Sequence, residues 1–364
     1  MTAAGRFPAP GEPVPWFKAK ALTGNDNYAF DTAAGRAILL LFFGSAGHVV
    51  CRSALSLIAE RRGLFDDQSG CFFGVSIDPN DVAQGAISQQ LPGIRLFLDF
   101  DRKVSALFGA SREELYSPFW LVVDQQLRVV QQFPIDQGDA ALACYEQVTR
   151  AELATLWAPV LLVPRVLEPE LCQHLIELFE RQGGEESGFM KERAGKTVEV
   201  VDPAHKRRSD YNIEDPELRR ALMVRVHDRL VPMIERAFQF RASRMERYTV
   251  ACYDSASGGH FRPHRDNTTR GTAHRRFAVS INLNAEHFEG GDLAFPEFGG
   301  RLYRPPTGGA VVFSCSLLHE ARPVTAGKRY AFLPFLYNDA AAELREANNQ
   351  FLGDGVGSYS RLAE

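Results

Sequence analysis

Long apolar runs are missing from this chain of 364 residues. No stretch approaches the ~20 residues that a membrane-crossing helix needs, so a helical membrane protein is not expected. The first residues, Met1 to Pro10, lack the apolar centre of a secretory signal, which predicts an untargeted, cytoplasmic protein. Cysteine is sparse: six residues, at 51, 71, 144, 172, 252 and 315, with no C-x-x-C spacing. That scatter excludes a disulfide framework or a cysteine-rich zinc module and predicts reduced thiols. Charge of one sign is also lacking, since the net charge is only −4, and without a basic stripe there is no footprint for nucleic acid. Neither an internal repeat nor a low-complexity tract is present.

What is there suits an ordinary globular protein: 45% of residues are hydrophobic, and the length accommodates two domains. The pattern changes near Leu156–Pro164, which places one domain over residues 1–157 and a second over 158–364. In the first, the apolar runs Ala37–Phe43, Cys71–Ile77 and Phe119–Asp124 read as strands, followed after a turn by Leu127–Gln132. Helical stripes at Val50–Arg62 and Asp139–Leu156 alternate with them, as in an α/β layer. The second domain opens with two amphipathic helices, Leu167–Phe179 and Pro216–Phe238. From Ser243 onward the pattern is all β, with about eight short strands and Gly/Pro-rich turns. Helices followed by such strands predict a double-stranded β-helix, or jelly roll, buttressed by helices.

The densest chemistry lies in this β-rich half. In a strand, residues i and i+2 share a face, so His264 and Asp266 of His264-Arg265-Asp266 can reach one metal ion. His319, about fifty residues on, closes the apolar run Gly309–Leu318 and supplies a distal partner. Two imidazoles and one carboxylate occupy one face of an octahedral metal and leave the other face open, the arrangement of non-heme Fe(II) oxygenases. Arg329 follows His319 by ten residues and begins the strand-like segment Arg329–Tyr337. A buried arginine among apolar neighbours calls for an anion, and its planar fork suits a carboxylate.

Phe277–Asn284 alternates cleanly, with Phe277, Val279, Ile281 and Leu283 on an apolar face and Ala278, Ser280, Asn282 and Asn284 on a small polar one. His260 and His274 fall in loop-like sequence and are expected in solvent, as is Lys328. The basic segments Lys206–Tyr211 and Asn267–Arg276 could grip an acidic or peptide substrate; a solvated loop of mixed charge is the competing expectation.

On Ala251-Cys252-Tyr253-Asp254, Phe261–Asp266, Gly290–Phe295, His319–Thr325 and Arg329-Tyr330-Ala331, the second half resembles the Fe(II)/2-oxoglutarate-dependent dioxygenases, in their prolyl 4-hydroxylase-like branch. The resemblance implies that His264, Asp266 and His319 hold iron and that Arg329 pairs with the distal carboxylate of 2-oxoglutarate. It also places Tyr253, eleven residues before His264, facing the co-substrate, and Asn282 where some members carry a tyrosine hydroxyl that touches it. Asn282 could instead satisfy a strand-edge backbone group. The implied cofactors are Fe(II), 2-oxoglutarate as co-substrate and O2, with room for ascorbate as an auxiliary reductant.

In the first half, Gly11–Phe17, Phe42–Cys51 and Ser117–Asp124 resemble the peroxiredoxin (thioredoxin-like) family over about residues 8–155. Cys51 falls where that family keeps its peroxidatic cysteine, and a helix N-terminus there would lower a thiol pKa. The chain departs from the family pattern at Gly44, where a proline is expected, at His48, where a threonine is, and near Pro118, where an activating arginine is. His48 could substitute as a base, and Cys71 and Cys144 could resolve. The first domain therefore reads as a degenerate module for substrate docking or for a homo-oligomer. The expected activity is hydroxylation of a C–H bond in a protein residue of prolyl type or in a free amino acid, with succinate and CO2 as co-products. The alternatives are a thiol peroxidase using Cys51 and a non-catalytic 2-oxoglutarate or oxygen sensor.

Overall fold

The computed structural model describes residues 7–113, 115–150 and 156–361. The chain forms two compact units, Met1–Trp157 with Pro296–Gly300 and Ala158–Phe295 with Arg301–Glu364. Among the described residues the cysteines are all free, and no helix is long and apolar enough to cross a membrane.

The first unit is a thioredoxin-like α/β layer around a seven-stranded sheet. Ala37–Gly44 lies at its heart and is buried along its whole length. It runs parallel to Gly70–Ser76 and antiparallel to Phe119–Val123. Such a strand reads as a continuous apolar run because both its faces are covered. Leu39, Leu41 and Phe43 share a core with Ala54 and Ile58 of the helix Val49–Glu60 and with Ala141, Leu142 and Tyr145 of the helix Gly138–Arg150. On the opposite face Phe42 stacks on Phe119 at 4.9 Å and meets Phe108 at 5.0 Å. The closing helix expected to reach Leu156 is described to Arg150; residues 151–155 lie outside the described residues.

The second unit packs a ten-stranded antiparallel sheet with a five-stranded one, in the manner of a jelly roll. Alternation sorts the large sheet into two faces. Phe277, Val279, Ile281, Val250, Cys252, Tyr330 and Phe332 belong to the core that also holds Leu175, Leu222 and Ile234 of the supporting helices. Their alternates, among them Ala278, Ser280, Tyr253 and Arg329, line a cavity on the other side. The five-stranded sheet follows the order Lys206–Arg207, His260–His264, His319–Ala321, Leu293–Ala294, Leu302–Tyr303.

Three elements differ from expectation. The helix read over Pro216–Phe238 is two, Pro216–Arg229 and Val231–Phe238, meeting at Leu230. Pro232 lacks the N–H that a continuous helix would use there, and its ring crowds the preceding turn. The segment Arg329–Tyr337 is divided between Val324–Phe332 and Phe335–Tyr337, with Leu333 and Pro334 between them. The β region also ends in a helix, Asp339–Ala347, capped by Asn338 Oδ1 accepting from the Ala341 N–H at 3.0 Å.

Candidate metal centre

His264 and His319 face each other directly across the antiparallel pair His260–His264 and His319–Ala321. That register, rather than alternation within one strand, brings the two imidazoles together, with ring centres 4.2 Å apart. Asp266 lies in the turn just beyond the strand that ends at His264, so the same-face argument does not account for its position. The turn is held by the Asp266 N–H donating to Cys315 O at 3.0 Å. His319 opens its own strand instead of closing the preceding one, Ala310–Ser314, because the turn at 315–318 intervenes.

The result is a compact donor set. Asp266 Oδ1 is 3.6 Å from His264 Nε2, and Asp266 Oδ2 is 3.3 Å from His319 Nε2. One ligand atom from each of the three residues lies within 4.8 Å of the others. Each histidine turns Nδ1 toward the backbone carbonyl two residues earlier, His264 to Arg262 O at 2.8 Å and His319 to Leu317 O at 3.0 Å. A histidine whose Nδ1–H donates to a carbonyl has Nε2 left to ligate a metal, which is how ligating histidines are commonly oriented; here both Nε2 atoms face the aspartate. Burial, and then the neighbouring His319, push the His264 imidazole down to about 4, so it is neutral at pH 7. Burial alone would raise Asp266, but His319 and His264 hold it well below the usual carboxylate range. Neutral imidazole and ionised carboxylate are the forms that bind a metal.

The same cavity contains Arg329, which is 3% exposed. Its strand pairs it with Tyr253, whose ring centre is 5.2 Å from the guanidinium carbon. Nη2 donates to Ser280 Oγ at 2.9 Å and Nε to Asn282 Oδ1 at 3.4 Å, while Nη1 is buried with no partner among the described residues. An unpaired donor in such a place costs about 1–3 kcal/mol, more on a charged group. An anion in the cavity would supply the missing partner. Gly291 (φ +68°) keeps the arginine stem in place: a Cβ there would lie 3.3 Å from Arg329 Cδ and 2.8 Å from Val324 Cγ2.

Asn282 does not offer its amide to the cavity. Nδ2 donates to Pro305 O at 2.9 Å and Oδ1 supports Arg329, so it positions the arginine. His274, expected in solvent, is 2% exposed, with Nε2 3.2 Å from Glu246 Oε2. His260 is half-buried against Gly258 O at 2.8 Å. Lys328 is exposed and pairs with Glu180 at 3.1 Å. The segment Lys206–Tyr211 is no solvated loop, since Lys206, Arg208 and Asp210 are all buried. Arg208, from the basic segment read as a possible substrate grip, lines the cavity together with Arg247, which the sequence did not single out. Lys206 and Asp210 lie on two successive strands, Lys206–Arg207 and Ser209–Asn212, with Arg208 between them.

In the first unit Cys51 lies in the opening turn of the helix Val49–Glu60 but is buried. Its thiol is not lowered as the helix N-terminus alone would predict: burial, and then Asp81, push it up. Burial likewise pushes Cys71 up to about 11 and raises Cys144. Gly44 has φ +74°, which proline cannot adopt, and a Cβ there would lie 2.7 Å from Tyr116 Cε1. The departure at Gly44 thus fits the backbone and packing found there.

Residues 248–337 match the family model described as the 2OG-Fe(II) oxygenase superfamily, and residues 10–132 match that of the AhpC/TSA family. Among solved structures, a Trichoplax adhaerens prolyl hydroxylase in complex with a hypoxia inducible factor oxygen degradation domain peptide fragment is similar at 19% identity, over 53% of this chain and 88% of that one, with a TM-score of 0.39. A Pseudomonas putida prolyl-4-hydroxylase is similar at 21% identity over 51% and 95%, with a TM-score of 0.37. Mycobacterium tuberculosis AhpC is similar at 16% identity over 40% and 94%, with a TM-score of 0.34. Two different family models thus match separate parts of the chain, an oxygenase model in the second unit and an AhpC/TSA model in the first.

Proposed function

We propose that this enzyme hydroxylates a C–H bond of a free amino acid or of a protein residue of prolyl type, with His264, Asp266 and His319 holding iron(II) and Arg329 holding the distal carboxylate of 2-oxoglutarate. The observation that carries the reading is one cavity containing both the three-residue donor set and a buried arginine with an unpaired Nη1. The donor set fits the metal: two nitrogens and one oxygen on one side suit iron(II), with coordination positions left for co-substrate and oxygen. When bound, iron, 2-oxoglutarate and dioxygen supply the oxidant that turns C–H into C–OH, and 2-oxoglutarate leaves as succinate and CO2.

The chain's own part is binding, orientation and exclusion of water. His264 and His319 keep Nε2 free because Nδ1 is committed to a carbonyl. Ser280 and Asn282 fix the guanidinium of Arg329, and Tyr253 packs beside it. Phe261, Leu293 and Phe313 line the cavity with apolar surface, which strengthens the charge interactions within it. The first unit serves as a redox-silent module for docking or oligomerisation, since Cys51 is buried and its thiol raised.

The test is anaerobic reconstitution with Fe(II) and 2-oxoglutarate, followed by an oxygen-initiated succinate assay. Wild type should form succinate, while His264→Ala and Arg329→Ala should not approach it. Equal succinate from all three would sink the proposal.

A further inference from the structure

Two guanidinium groups in the cavity, Arg208 and Arg247, have no part in the reading above. The Arg208 side chain is 5% exposed. Its Nη2 donates to Asp210 Oδ2 at 2.6 Å and to Ser187 Oγ at 3.2 Å, its Nη1 to the Tyr253 hydroxyl at 3.4 Å. Its Nε is buried with no partner among the described residues. Arg247 Nη2 donates to the same Asp210 oxygen at 3.0 Å, and its side chain keeps 32% exposure. The Arg247 backbone sits at φ +67°, a left-handed conformation that a long side chain rarely adopts. Strain of this kind persists where the surroundings impose it and is concentrated at ligand clamps.

Charge counting sharpens the point. The charges of Asp266 and of a bound 2-oxoglutarate are matched by iron(II) and Arg329. Asp210 then faces two guanidinium groups with one carboxylate, leaving a positive charge without a partner. Glu246, next to Arg247 in sequence, does not supply it, because its carboxylate is taken by Arg275 at 2.6 Å and Arg345 at 2.8 Å. Buried Lys206 adds no anion either, donating to Ser187 Oγ at 2.6 Å and to Gly188 O. A cavity lined by two guanidinium groups that share one carboxylate has a positive charge in excess and suits an anion of matching shape.

We propose that Arg247, backed by Arg208, forms a second anion site that takes a carboxylate of the substrate, so that the hydroxylated molecule is an organic acid rather than an uncharged stretch of polypeptide. This inference rests on the oxygenase reading and names its substrate class. The carboxylate belongs either to a free amino acid or to the C-terminus of a peptide, and the two sources are separable.

The experiment is anaerobic titration calorimetry on the full chain loaded with Fe(II). Binding of 2-oxoglutarate is measured first; if wild type does not bind it, the oxygenase reading falls and this inference with it. The probes are then the protein amino acids as free acids and tripeptides with free C-termini, each against its primary amide. At least one acid should bind, and its amide roughly tenfold or more weakly, as expected when a charge-assisted pair is lost. Arg247→Gln should erase that difference while leaving 2-oxoglutarate affinity within about twofold, and Arg247→Lys should restore part of it. Which acid series binds names the source. The inference is overturned, with the oxygenase reading intact, if acid and amide bind alike, if no acid binds, or if Arg247→Gln weakens 2-oxoglutarate as Arg329→Gln does. Thermal melts of the variants show that they are folded, which the partial exposure of Arg247 favours.

Discussion

Burial acts on both units and produces opposite chemistry. In the second unit it drives His264 toward the neutral form, while two imidazoles keep Asp266 ionised. Each group is thereby held in its metal-binding state. In the first unit burial acts on Cys51 with Asp81 as its charged neighbour, and both effects raise the thiol. A nucleophilic cysteine is activated by a helix N-terminus, a cation or a metal, and the charged group bearing on this buried thiol is the anion Asp81. Burial does not mark a reactive site by itself; the sign of the nearest long-range charge decides what it yields.

The largest way to break this contrast is to exchange the groups on either side of it. Asp266→Ala should lower succinate formation by roughly a thousandfold or more, since a missing ligand removes the metal's anchorage. Cys51→Ser should leave it within about twofold, because a buried neutral thiol takes no part. A comparable loss in both would show that the units share one reaction.

Next in size is Arg329→Gln. Losing a charge-assisted carboxylate pair is expected to raise KM for 2-oxoglutarate roughly ten- to hundredfold, with metal affinity little changed. Steady-state kinetics with a parallel metal titration separates the two. Weakened metal binding of the same size would place Arg329 in the wrong role.

The thiol offers a third measurement. Cys51 should react with iodoacetamide more slowly than free cysteine at pH 7 and should accelerate at higher pH than free cysteine does, because burial and Asp81 raise its thiol. Mass spectrometry of the alkylated peptide against pH reads this directly, and fast labelling at pH 7 would reopen the peroxidase alternative.

The smallest effect is in pH dependence. Protons compete with metal for an imidazole only near and below its pKa, and that of His264 is about 4. Competition from protons on His264 should therefore weaken cobalt(II) binding only below about pH 5. An NMR titration of the metal-free protein that gave the His264 imidazole a midpoint near pH 7 would show that it behaves as a solvated histidine.

Much of the site was legible in the chain, though not always for the reason first available. The spacing of His264 and Asp266 singled them out, yet Asp266 lies beyond the strand and reaches His264 through a turn. His319 was read as closing a strand and instead opens one, opposite His264. Of the two readings of Asn282, co-substrate contact or support of a backbone group, the hydrogen bond to Pro305 O matches the second, and its Oδ1 also accepts from Arg329. His274 was assigned to solvent from its loop-like setting and is buried beside Glu246, a neighbour 28 positions away that local pattern does not reveal.

The sequence by itself determined the donor types, the two-faced alternation of Phe277–Asn282 and the boundary between an α/β and a β-rich pattern. Those properties follow from residue chemistry and short periods along one strand or helix. Only the tertiary structure decided that Arg208 and Arg247 share a cavity with Arg329, and that the charged group bearing on Cys51 is Asp81. The strength and sign of an electrostatic neighbour depend on distance and burial in space, and residues far apart in the chain set both.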